Sequence, residues 1–331
     1  MKEPAFTDLV NLAAERLGGA VLSANDEFFA PKEALLRTAA PVWKENEYTD
    51  RGKWMDGWET RRRRSPGHDW CLIRLGLPGI VRGVVVDTTF FRGNYPEHCE
   101  LDSCAVDGVP DPATLADDTS LRWHVLVPRS PLAGDTRNHF EVRASDRVTH
   151  VRFRIHPDGG VARLRIHGDA RPAPVMLAAG RTLDLAAMEH GGFVVVCSDM
   201  FFGHRQNLIL PGRSTHMGDG WETRRRRGPG HDWTIVRLGA RGELRRIELD
   251  TDHFKGNAPG SCSLDYVEGN RAAGAEIVES REWRLLLPET PLQPHARHVW
   301  DLPARVTATH VRPNIFPDGG VARLRLLGRA L

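Results

Sequence analysis

A chain of 331 residues, 40% of them hydrophobic and 27% charged, has the make-up of a globular protein of about two domains, and that excludes a disordered or fibrous chain. Its formal charge of +2 supplies no field strong enough to point to nucleic acid or an anionic membrane. The 32 glycines and 22 prolines predict many turns and short strands.

In chain order, the first residues carry acids and lack the apolar core of a secretory signal, and no window approaches the roughly 18 apolar residues of a membrane helix. The five cysteines, at 71, 99, 104, 197 and 262, are odd in number and scattered, which predicts reduced thiols in a cytoplasmic protein. Helical periodicity runs over Asp8–Leu17 and stops at Gly18-Gly19. Strands are predicted at Trp70–Leu75, Val81–Asp87, Leu121–Val127 and Val151–His156. After the turn Pro157-Asp158-Gly159-Gly160 the alternation resumes through Leu164 and Ile166, so the two runs are read as a hairpin. His98, Cys99 and Cys104 lack a second Cys/His cluster to complete a metal set and read as strand residues. The Pro/Ala/Gly-rich stretch Asp169–Gly180 is the expected boundary, giving domains 1–170 and 171–331. A second helical segment follows at Leu183–His190, then strands at Phe193–Cys197, Trp233–Leu238, Leu244–Asp250 and Trp283–Leu287. The expected class is all-β, a tandem pair of antiparallel sandwiches with few short helices.

Self-similarity organises the whole chain. Asp56–Trp70 reads DGWETRRRRSPGHDW and Asp219–Trp233 reads DGWETRRRRGPGHDW. The same offset carries Asp87-Thr88, Phe91 and Gly93-Asn94 onto Asp250-Thr251, Phe254 and Gly256-Asn257. Thr149–Arg152 recurs as Thr309–Arg312, and PDGGVARLR at Pro157–Arg165 recurs at Pro317–Arg325. Each half is a full copy of domain size, too long for a solenoid unit.

No phosphate-binding glycine loop, GxSxG elbow, HExxH or paired CxxC is present. What remains is the duplicated loop: Asp56 and Glu59, four arginines, then His68-Asp69, with Asp219, Glu222 and His231-Asp232 in the second copy. Guanidinium forks grip carboxylates, carboxylate side chains accept from amide N–H groups, and a histidine moves a proton near neutral pH. On an extended segment only alternate arginines share a face, so at most two of four point into one site. Trp58, Trp70, Trp221 and Trp233 read as core, and His150 and His310 as structural strand residues.

DGWETRRRR with HDW, the NDEFF and SDMFF segments, the Asp-Thr/Phe/Gly-Asn segment and HVR with PDGGVARLR together resemble the allantoicase family, over nearly the whole chain and in both repeats. The resemblance implies two jelly-roll sandwiches of the galactose-binding-like type. It implies a homo-oligomeric hydrolase of purine breakdown that converts allantoate and water into (S)-ureidoglycolate and urea. On this reading Arg61, Arg62, Arg63, Arg64, Arg224, Arg225, Arg226 and Arg227 hold the carboxylate, with Asp56, Asn94, Asp219 and Asn257 as further substrate contacts. Glu59 or Glu222 orients a ureido arm, and His68-Asp69 or His231-Asp232 transfers protons. No organic cofactor or covalent nucleophile is required; a divalent metal stays open. The copies differ: Tyr95, Glu97, His98 and His156 face Ala258, Gly260, Ser261 and Phe316, while Asp252 and His253 replace Thr89 and Phe90. Two rival readings are a carbohydrate-binding module of the same fold and a nucleic-acid binder using the arginine runs, which the charge balance disfavours.

Overall fold

A computed structural model describes residues 3–106, 108, 110–112, 115, 121–144, 146–173, 177, 180–269 and 275–331. The chain divides into two compact units, Met1–Arg171 and Pro172–Leu331. One α-helix, Ala275–Val278, is a single turn. No helix of the described residues is long and apolar enough to cross a membrane.

The first unit is built on β1 (Ala20–Ala24), β2 (Asp69–Asp87), β3 (His98–Cys104), β4 (His124–Pro131), β5 (Arg137–Glu141), β6 (Val148–His156) and β7 (Arg163–Ala170). All their pairings are antiparallel. The N-terminal part of β2 lies between β1 and β6, and β3 and β4 continue outward from β6. The C-terminal part of β2 lies instead between β7 and β5. One 19-residue strand therefore belongs to both layers of a jelly-roll sandwich. It changes layer at Gly76-Leu77-Pro78-Gly79, where the Gly76 and Leu77 N–H groups donate to Leu12 O. The core takes Leu101 and Phe153 from one layer and Val84, Val86, Leu164 and Ile166 from the other, all fully buried. Trp58 and Phe91 fill the end of that core. Gly160 is obligatory beneath them, because a Cβ there would stand 2.0 Å from the Phe91 ring.

The second unit repeats the plan with β8 (Phe193–Cys197), β9 (Asp232–Asp250), β10 (Ser261–Val267), β11 (Arg284–Pro291), β12 (Arg297–Phe316) and β13 (Arg323–Ala330). Here one 20-residue strand, β12, does the work of β5 and β6. It pairs with β9 first at Arg297–Asp301 and again from Val306 to Ile315. Trp221 and Phe254 take the core places of Trp58 and Phe91.

The structure corrects several sequence expectations. Asp8–Leu17 and Leu183–His190 are not helices but short 3-10 turns joined to two-residue strands, Val10–Asn11 and Leu183–Asp184. The cause is local: Asn11 Oδ1 accepts from Ala13 N and Ile166 N, and Asp184 Oδ1 from Ala186 N and Leu326 N, and such side-chain bonds compete with a helix. The glycine stops do hold, with Gly18 at φ 92° and Gly191 at φ 91°. The runs on either side of PDGG are not hairpin partners, because β2 lies between β6 and β7. The strands expected at Trp70–Leu75 and Val81–Asp87 are one bent strand, as are those at Trp233–Leu238 and Leu244–Asp250. The strands near 121–127 and 283–287 begin later, at His124 and Arg284, and run further.

Candidate active site

In each unit the duplicated loop is locked onto the PDGG turn. Thr60 N donates to Gly159 O at 3.1 Å and Gly159 N returns a bond to Thr60 Oγ1 at 3.1 Å. Arg63 N donates to Asp158 Oδ2 at 2.8 Å. The second unit reproduces these contacts with Thr223, Gly319, Arg226 and Asp318 at 3.1, 3.1 and 2.7 Å. Gly159, at φ 135°, meets Asn94 O and Pro96 N so closely that only a glycine fits. The turn thereby joins the loop at 56–69 to the Asn94 loop. Trp58-Glu59 pairs with Gly160-Val161 on one side of the turn. His68 stands against His156 on the other, ring centroids 5.1 Å apart.

The arginine run alternates as an extended segment must. Arg61 bonds Asp26 at 2.6 Å and lies over Phe28, and Arg63 bonds Asp69 at 2.5 Å. Arg61, Arg62 and Arg64 are exposed and Arg63 is half-buried. In the second unit Arg224 pairs with Asp199 and Arg226 with Asp232, and Arg224, Arg225 and Arg227 are exposed. Buried Asp69 also accepts from Asn25 at 2.9 Å, and Asp232 from Ser198 at 2.9 Å. Asp56 is held by buried Arg163 at 2.6 Å, by Arg37 at 3.0 Å and by Val42 N at 3.0 Å. Asp219 takes Arg323 at 2.8 Å. These four aspartates fasten the loop to the sandwich.

Glu59 and His68 of the first unit are both electrostatically displaced. Glu59 Oε1 accepts from Asn94 Nδ2 at 2.7 Å. Burial raises its pKa, and the Asn94 bond opposes that rise only in part. His68 is displaced downward, first by burial and then by the Arg154 charge, so the ring is neutral at pH 7. In the second unit Asn257 donates to Glu222 at 2.5 Å. His231 Nε2 lies 3.2 Å from Asn314 Oδ1, and its ring lies against Phe316, tilted, with centroids 4.6 Å apart. Among the described residues no group of three or more His, Cys, Asp or Glu is arranged to hold a metal ion.

The model for the allantoicase repeat matches residues 10–171 and again 183–331. The allantoicase of Dictyostelium discoideum is 45% identical over 327 residues, covering 97% of this chain and 87% of that protein. The chain belongs to the allantoicase family. A probable allantoicase of Pseudomonas aeruginosa is 48% identical over 332 residues, covering 99% of this chain and 98% of the relative. The crystal structure of allantoicase from Saccharomyces cerevisiae superposes with a TM-score of 0.79 at 33% identity, covering 96% of this chain and 92% of that one.

The sequence reading named the loop but missed its supports. Asn25, Asp26, Asp158 and Arg163, with Ser198, Asp199, Asp318 and Arg323, lie in the other recurring strings. Recurrence of all the strings together was the available signal that they meet.

Proposed function

We propose that this chain hydrolyses allantoate to ureidoglycolate and urea at the loop locked onto the PDGG turn. The observation that carries the reading is the pairing, across one turn, of a carboxyl whose pKa is raised with an imidazole whose pKa is lowered. A carboxyl shifted upward and an imidazole shifted downward suit the roles of general acid and general base.

In the elimination half, neutral His68 takes the N–H proton of the ureido arm that remains. Protonated Glu59 gives its proton to the departing nitrogen, the C–N bond breaks, and urea leaves a carbamoyl imine. In the hydration half, the Glu59 carboxylate takes a proton from water as oxygen bonds to the carbon. The His68 imidazolium returns its proton to the imine nitrogen, so both groups regain their starting state. Asn94, bonded to Glu59, offers its carbonyl to the amide end of the same arm. Arg62 and Arg64 hold the substrate carboxylate, since Arg61 and Arg63 already serve Asp26 and Asp69. Asp69 acts by fixing Arg63 and the loop rather than by moving protons. Self-association belongs to the same reading and rests on the resemblance, while a cytoplasmic site of action rests on the scattered, odd-numbered cysteines; light scattering against the 37.0 kDa chain mass checks the first.

Urea and ureidoglycolate should form in equal amounts from allantoate. Glu59→Gln and His68→Asn should each lower kcat by about 10²–10⁴, the usual worth of a positioned acid or base. A wild-type chain that releases no urea above background, with or without divalent ions, refutes the assignment.

A further inference from the structure

The two units share the loop, the turn and the Glu–Asn pair, but the sheet face beneath the histidine differs. In the first unit β3 and β6 present an ion-pair ladder. Arg152 bonds Asp102 at 2.9 Å, and Arg154 bonds Glu100 at 2.8 Å and also Asp102. His156 Nε2 lies 3.4 Å from Glu100 Oε2, and the His156 ring faces His68. The strand register sets Arg154 opposite Glu100 and His156 opposite His98. In the second unit the same register sets Asn314 opposite Ser263 and Phe316 opposite Ser261. Asn314 Nδ2 donates to Ser263 at 3.2 Å and to Asp265 at 3.0 Å.

The exchange changes what the loop histidine can do. Because Asn314 spends its Nδ2 on Ser263 and Asp265, its Oδ1 is the atom turned to His231, and it accepts that ring's Nε2 proton. Phe316 closes the other side with a surface that bears no charge. The first unit has Arg154 where Asn314 stands. A guanidinium donates only and cannot accept from His68, while its charge disfavours the imidazolium. The His68 ring nitrogen is therefore not occupied as that of His231 is.

We propose that His156, seated by Glu100, which Arg154 holds in turn, is the positioning residue for His68, and that turnover of allantoate runs in the first repeat and not in the second. The inference rests on the allantoicase reading above. It explains why the loop is conserved within the chain while the strands below it are not: the loop builds the frame, and the ladder makes the histidine a proton acceptor. The charged and titratable groups facing His156 are Glu100 and His98 on β3, Arg154 on its own strand, Arg129 on β4 and His68 on the loop. Those acting on His68 are Arg154, Glu100, Arg63 and Asp69.

The test uses the full chain, with urea release from allantoate followed from pH 5 to 9. His156→Phe installs the residue that the second unit carries at the same register position. It should lower kcat at least tenfold with KM changed less than about threefold. Glu100→Gln removes a charge that raises the His68 pKa, so the acid limb of its rate profile should move to lower pH; a merely structural role for Glu100 would leave that limb in place. Phe316→Leu, in the second unit, should keep kcat within about twofold. The inference fails if His156→Phe retains wild-type kcat, if Phe316→Leu loses as much, or if Glu100→Gln leaves the acid limb unmoved. If wild type itself releases no urea, the allantoicase reading falls and takes this inference with it.

Discussion

Changing Asp56 to asparagine separates a substrate contact from a fastening of the fold. Asp56 is 8% exposed and faces Arg163, which is 1% exposed. Arg163 also donates to Ala39 O, Asp56 O and Ala162 O, but those carbonyls carry no net charge. Removing one partner of a buried ion pair costs about 3–5 kcal/mol. The carbonyls that remain around the guanidinium, and an amide that still accepts, hold the loss near the lower end, about 3 kcal/mol. For a unit of this size each kcal/mol is worth about 2–4 °C in melting temperature, so the first unit should melt roughly 6–12 °C lower. Scanning calorimetry checks this, with Asp219→Asn as the matching change against Arg323 in the second unit. The pH dependence has a definite sign. Burial works to raise the Asp56 pKa, but the Arg163 hydrogen bond, the Val42 N–H and the charges of Arg163 and Arg37 outweigh it, and the net displacement is downward. A carboxylate lowered on folding contributes stability above its unfolded value near 3.9 and loses it as pH falls through the folded value. The difference between wild type and variant should thus be complete at pH 7 and shrink below about pH 4. An unchanged melting temperature combined with a tenfold rise in KM would refute the reasoning and make Asp56 a substrate contact.

Other consequences follow from the same geometry. The acid limb of kcat/KM should fall below the ordinary imidazole value of 6.5, because burial and Arg154 depress His68; a limb at or above that value contradicts His68 as the proton acceptor. Asn94→Ala removes the bond that opposes the rise in Glu59, so the limb that Glu59 sets should move to higher pH while kcat drops, and a rate profile with both limbs unmoved removes Glu59 as the donor. Gly160→Ala should cost about 1–3 kcal/mol through the buried Phe91 ring, whereas Gly93→Ala, with nothing within 4 Å of a new Cβ, should leave the melting curve unchanged.

Period-two alternation in runs such as Val151–His156, and repetition of long strings, were enough to read an all-β tandem architecture. Alternation is a local property of a strand with one buried face, and it needs no knowledge of the neighbour. In the arginine run Arg61 and Arg63 bond carboxylates, and of the four only Arg63 is not exposed. Which strand lies beside which was not legible. The Gly-Leu-Pro-Gly break in β2 looks like a turn, and only the layers on either side show that the strand passes through it. Arg137–Glu141 escaped notice because it is a polar strand paired, among the described residues, with β2 alone, and it has no buried face to impose a pattern. The same division holds at the site. Sequence named Glu59, Asn94 and His68, because their surroundings recur in both halves. It could not show that Asp56 and Asp69 are consumed by Arg163 and Arg63, since a carboxylate's partner is fixed by distance in space. Nor could it show that His156 and Arg154 lie under one copy of the loop where Phe316 and Asn314 lie under the other, because that contrast arises only when strands more than 80 residues from the loop are laid beside it.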